Sequence, residues 1–124
     1  MAGGPQKYSV VEAGNLGLGQ AGSIFIDSST ATTVKPPTGR VFVAITFLET
    51  TTFYSTTGLI AEDENQYINT AAAAHNEAVG NATTTQGELG AVVDVSNSFP
   101  SGITIFGRWT EINITDGLLI AYIG

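Results

Sequence analysis

SGITIFGRWTEINITDGLLIAYIG, residues 101 to 124, is one unbroken stretch of β-type sequence. β-Branched and aromatic residues dominate it, and such side chains suit a pleated, half-buried surface. Asp116-Gly117 lies between a long apolar segment, Ile103 to Ile114, and a short one, Leu118 to Ile123. An Asp-Gly pair flanked by apolar residues is the strongest short-range hairpin signal, so the stretch predicts two paired strands and a C-terminus built into the fold. Apolar parity switches between Trp109 and Ile112, with Gly107 just upstream, which predicts a β-bulge.

Upstream, Arg40 to Glu49 reads RVFVAITFLE, apolar on both alternating sets: Val41, Val43, Ile45 and Phe47 on one, Phe42, Ala44 and Leu48 on the other. That pattern predicts a central strand covered on both faces. Pro36 and Pro37 before it form a turn, because proline cannot serve a central strand. The threonine-rich stretch 50 to 57 reads equally as continued strand or loop. Further strands are expected over Tyr8 to Glu12, Ser23 to Asp27, Gly58 to Ala61 and Leu89 to Val95, and Ala71 to Glu77 leaves room for at most a short helix.

The count comes to about seven or eight short strands, spaced as in an all-β sandwich or barrel. Without amphipathic helices between strands, parallel βαβ units are excluded. The expected fold is all-β, a single-domain antiparallel β-sandwich of jelly-roll-like form over residues 23–124. Glycines 3, 4, 14, 17, 19 and 22 make residues 1–22 a flexible Gly-rich N-terminal arm.

The chain has 124 residues, enough for one core and not two. It is 43% hydrophobic and only 12% charged, so threonine, serine, asparagine and glycine must supply its polar surface. An uncharged polar surface suits a protein that lives against neighbours in an assembly. The net charge is −7, and the four cationic residues (Lys7, Lys35, Arg40, Arg108) are scattered. Nucleic acid is not an expected partner, because a phosphate backbone calls for a basic patch. The absence of cysteine excludes disulfides and thiolate metal sites. MAGGPQKYSVVEAG lacks the pattern of a signal peptide, and no apolar run approaches the roughly 20 residues that span a bilayer, so no membrane partner and synthesis in a cytoplasm are expected.

Chemistry-bearing constellations are sparse. His75 is the only histidine, and an acid–base scheme resting on it needs an orienting carboxylate and an oxyanion hole that the sequence does not supply. Glu62-Asp63-Glu64-Asn65 is the densest acidic cluster, but it lacks the spacing and glycine of a calcium loop, and a solvated acidic loop is the better reading. Carboxylate pairs drawn from Glu49, Asp94 and Glu111 are what any chain with 11 acids offers. Gly14-Asn15-Leu16-Gly17-Leu18-Gly19 resembles a phosphate loop only superficially, since no helix and no Lys-Ser/Thr pair follow. Tyr54, Tyr67, Trp109 and Tyr122 would suit a sugar platform, although packing is the better reading for Trp109 and Tyr122. Asn81-Ala82-Thr83 and Asn113-Ile114-Thr115 match the glycosylation pattern by chance. The expectation is a non-enzyme with no catalytic, cofactor or metal residues and no cofactor.

Two segments, PPTGRVFVAITFLETTTF (36 to 53) and FPSGITIFGRWTEINITDGLLIAYIG (99 to 124), resemble small all-β virion structural proteins of tailed phages, especially phages of marine bacteria. The resemblance covers a little over a third of the chain, and its motifs are structural. It implies a capsid decoration (cement) protein on the outer capsid surface of the virion, with the major capsid protein as partner and a homo-oligomer, a trimer foremost, as the assembly. It transfers no site residue. The alternative is a receptor- or glycan-binding module of a phage fibre or spike.

Overall fold

A computed structural model describes residues 21–28, 33–64, 66–71 and 91–124. The expected arm up to residue 20, the strand from Tyr8 and the short helix beyond Ala71 lie outside the described residues. Among the described residues there are six strands: β1 Ser23–Asp27, β2 Phe42–Phe53, β3 Leu59–Ala61, β4 Ser98–Phe99, β5 Thr104–Ile112 and β6 Ile114–Ile123. All pairings are antiparallel, in the order β1-β6-β2-β5-β3, with β4 also on β2. The chain is all-β and sandwich-like, and among the described residues there is no helix.

A single sheet encloses a core here because β2 bends. Straight, its 12 residues would span about 36 Å. Yet Phe42 pairs with Trp109 and Phe53 with Ile114, and the run from Trp109 to Ile114 reaches at most about 18 Å. Adding roughly 5 Å for each cross-strand pair still leaves the ends of β2 within about 28 Å of one another. Register shifts against β6 at Phe42/Ala44, Phe47/Glu49, Glu49/Thr52 and Thr52/Phe53 supply the bending, as bulges do. The concave side holds Phe42, Ile45, Phe47, Phe53, Leu59, Trp109, Ile112 and Leu119, all fully buried. The Phe47 and Phe99 rings stack at 5.1 Å, and Phe53 meets both edge-on.

The expected hairpin is not formed. β5 and β6 both run antiparallel to the same segment of β2, one on each side of it. They therefore point the same way, with only Asn113 between them, and cannot pair as a hairpin. Asp116-Gly117 lies inside β6 instead, where Glu49 pairs with Leu118 and Thr52 with Asp116, so β2 carries an extra residue. Gly117 serves close approach: its φ is +114°, and a Cβ there would lie 2.3 Å from Thr51 Oγ1. Turn chemistry and bulge chemistry call for the same residue, which is why the pair misleads.

The bulge expected near Gly107 is present, since Phe42 pairs with Trp109 but Ala44 with Phe106. A Cβ on Gly107 would lie 2.7 Å from the Trp109 ring, so the glycine makes room for the indole. Central placement of β2 also holds. The reading of its two faces does not, because bulges at Val43 and Leu48 break the alternation: Phe42, Ile45 and Phe47 face the core, whereas Ala44 and Thr46 lie on the other side. Within the expected strand Leu89 to Val95, residues 91–95 are not strand; Val93 donates its N–H to Asn69 O instead.

Candidate functional site

Strand alternation places residues 119, 121 and 123 of β6 in the core and 118, 120 and 122 on the convex side. Following the register outward from Tyr122 gives a row across four strands: Ser23 on β1, Tyr122 on β6, Ala44 on β2 and Phe106 on β5. From Ile120 comes a second: Phe25, Ile120, Thr46 and Thr104. Phe25 and Phe106 are the most exposed large apolar side chains among the described residues, at 60% and 64%. Ala44, between Tyr122 and Phe106, is fully buried although it faces away from the core.

None of these positions is charged. Serine and threonine supply the polar groups, and Thr46 and Thr104 satisfy one another through a 2.8 Å hydroxyl–hydroxyl bond. Acids enter only in the next row, where Asp27, Leu118 and Glu49 align. In a chain of net charge −7, these two rows are a charge-free apolar–hydroxyl surface, with acids at one margin and the exposed Arg108–Glu62 pair two residues beyond Phe106 on β5. Such a surface binds by area burial. Full burial of a phenylalanine contributes about 1.5–3 kcal/mol, so covering the exposed part of each ring is worth roughly 1–2 kcal/mol.

The residues singled out from the sequence are dispersed. His75, Asn65, Asn81 and the glycines 14, 17 and 19 lie outside the described residues. Glu62, the residue after β3, is engaged by Arg108 of β5 at 2.6 Å. That hydrogen bond holds the Glu62 carboxyl below its ordinary range against the opposing effect of desolvation, with the guanidinium charge a lesser contribution in the same direction. Asp94 is held low by hydrogen bonds from the Ser96 hydroxyl and backbone N–H. Among the described residues no three His, Cys, Asp or Glu side chains converge as metal ligands, and no helix is long and apolar enough to cross a membrane. Glu49, Asp94 and Glu111 stand on β2, in the turn before β4 and on β5.

The aromatic platform does not assemble as a set. Trp109 is fully buried, and its Nε1–H donates to Ile68 O at 2.8 Å. Its ring therefore anchors the 62–71 loop, alongside Asn69, whose amide donates to Glu64 O and Tyr67 O. Tyr54 is exposed and Tyr122 half-buried on the convex face.

Comparisons with protein-family models, with curated proteins and with solved structures return no match. The geometry alone therefore carries the site. Phe25 and Phe106, its most exposed members, were not singled out from the sequence. The signal lies in their own strands: Phe25 stands between Ile24 and Ile26 in β1 and Phe106 follows Ile105 in β5, so adjacent apolar residues there mark an exposed apolar face as readily as a second buried layer.

Proposed function

We propose that the chain is a phage virion structural protein, a capsid decoration (cement) protein that lies on the outer capsid surface and stabilises contacts between major capsid protein subunits. The observation that carries this reading is the charge-free convex face from Phe25 to Phe106. An acidic protein that settles in many copies on a shell needs a contact surface without self-repelling charge. Modest affinity per surface then suffices where copies are joined in an oligomer, because linked sites bind together. The resemblance of residues 36–53 and 99–124 to phage virion proteins supports the same role, and both segments contribute strands to this face: β2, β5 and β6.

Co-sedimentation of the purified protein with phage capsids lacking a decoration protein tests the reading. Saturable binding at a fixed ratio to the major capsid protein is expected, and Phe106→Asp should abolish it while the thermal unfolding transition is retained. Absence of binding by the folded wild-type chain would overturn the reading.

A further inference from the structure

We propose that Asp116-Gly117 is a self-modification site, at which the Gly117 amide closes on the Asp116 carboxyl and the ring reopens to isoaspartate within the folded chain. This inference goes beyond the capsid reading and does not depend on it, since both reacting groups lie in one strand and the only co-reactant is solvent water.

The carboxyl is already on the amide. Gly117 N–H donates to Asp116 Oδ1 at 2.9 Å, so the nucleophilic nitrogen and the carboxyl it would attack are held together. Strand parity explains why that N–H is turned to its neighbour's side chain. Ile123 N donates to Gly22 O at 2.8 Å, and alternate residues of an antiparallel strand face the same partner, so Ile123, Ala121 and Leu119 turn their N–H and C=O toward β1. Leu118 turns the other way and donates to Thr51 Oγ1 of β2 at 3.3 Å. Gly117 is next in the β1-facing set, but the β1 ladder ends at the pair Asp27 and Leu118. Its N–H therefore points past the end of that ladder, where Asp116 Oδ1 accepts it.

The remaining requirements of ring closure are met at the same place. Asp116 is exposed, so water reaches the ring that forms. Gly117 carries no side chain to crowd its nitrogen. Thr51 presses on the side of the missing Cβ, not on the attacking atom. β2 already carries an extra residue opposite this point, so the main-chain atom that isoaspartate adds lengthens the shorter strand. Asp94 makes a contrast, because its Oδ1 takes the N–H of Ser96, two residues on, and it is followed by a β-branched valine.

The step balances without any oxidant or reductant. Gly117 N gives up its proton and bonds to Asp116 Cγ, the Cγ–OH bond breaks, and one water leaves to give a succinimide. Water then adds to one of the two ring carbonyls. Opening at Cγ restores aspartate, and opening at the Asp116 main-chain carbonyl routes the backbone through Cβ and Cγ as isoaspartate. The acid form of the carboxyl is the one that releases water, so a mildly acidic buffer favours closure.

Incubation of the full chain in such a buffer, native and in urea, followed by peptide mapping with fragmentation that separates isoaspartate from aspartate, tests the proposal. The native chain is expected to convert Asp116 in preference to Asp27, Asp63 and Asp94, and faster than the unfolded chain, in which the two groups meet only part of the time. Asp116 is exposed, so Asp116→Glu keeps its fold; it would have to close a larger ring, and conversion at this position should be lost. Asp116→Asn closes the same ring with release of ammonia, which the mass of the intact native protein reads directly. A native chain that converts more slowly than the unfolded one, conversion spread evenly over the aspartates, or a native Asp116→Asn protein that keeps its amide would each overturn the proposal.

Discussion

Gly117 and Thr51 approach so closely that a Cβ on the glycine would meet the threonine backbone, 2.6 Å from its Cα, as well as its side chain. Thr51 is itself fully buried and donates its hydroxyl to Glu49 O, so it has nowhere to retreat. Gly117→Ala should therefore cost roughly 3 kcal/mol or more, combining a positive-φ penalty of about 1–2 kcal/mol with overpacking of about 1–3 kcal/mol. Gly39 isolates the first part, having φ +81° and nothing within 4 Å of its missing Cβ. Urea unfolding of both alanine variants checks this: equal losses would show that Thr51 yields.

Trp109 is the only tryptophan and is fully buried, with its indole N–H bonded to Ile68 O. Native fluorescence should accordingly be blue-shifted and should move red in a single step on unfolding. Trp109→Phe leaves the Ile68 carbonyl without its donor and opens space beside Gly107. A loss of about 2–4 kcal/mol is expected, combining an unsatisfied acceptor with a smaller core side chain. Calorimetric unfolding measures it without the fluorophore. A loss well under 1 kcal/mol would mean that the loop at 62–71 does not hang on the indole.

Glu62 titrates below the ordinary glutamate range because Arg108 hydrogen-bonds and faces it. A carboxylate with a lowered folded-state value stabilises the fold at pH above the unfolded value, and that contribution is lost as pH falls through the folded one. The pair is exposed, so the effect belongs to titration rather than to overall stability. NMR titration of the Glu62 side chain should give a midpoint below that of a free glutamate, returning to the ordinary range in Arg108→Gln. An unchanged midpoint in that variant would remove Arg108 as the cause.

The all-β class was legible because Phe42 to Phe53 and Thr104 to Ile123 are dense in β-branched and aromatic residues with no helical period. Ser23–Asp27 was legible to the residue, bounded by glycine on one side and serines on the other. The path of the last two strands was not. Asp116-Gly117 satisfies the local rule for a hairpin, and only the non-local contact with Thr51 reveals that the glycine serves a bulge. Faces were misassigned for a related reason: Val43 and Leu48 are extra residues in β2, and each flips the side chains that follow. The convex surface depends on those flips, which bring Ala44 and Thr46 into line with Phe25, Tyr122 and Phe106, and no window of local sequence contains that alignment.

Salt separates the proposed docking surface from any electrostatic one. The rows from Ser23 to Phe106 and from Phe25 to Thr104 contain no charge, and the nearest aligned acids, Asp27 and Glu49, stand at the margin. Exposed charge pairs are screened over roughly 10 Å at 0.1 M salt, whereas apolar burial is not weakened and is strengthened by excluded salts such as sulfate. Capsid binding should therefore hold or tighten as sodium sulfate is raised, because the two rows carry no charge whose pairing salt could screen. Phe106→Leu should keep most of the affinity, since an apolar side chain remains. Phe106→Asp should lose it at every salt concentration, because the cost is desolvation of a carboxylate rather than a screened charge pair. Affinity that falls steeply with salt while Phe106→Asp binds normally would place the contact elsewhere on the molecule.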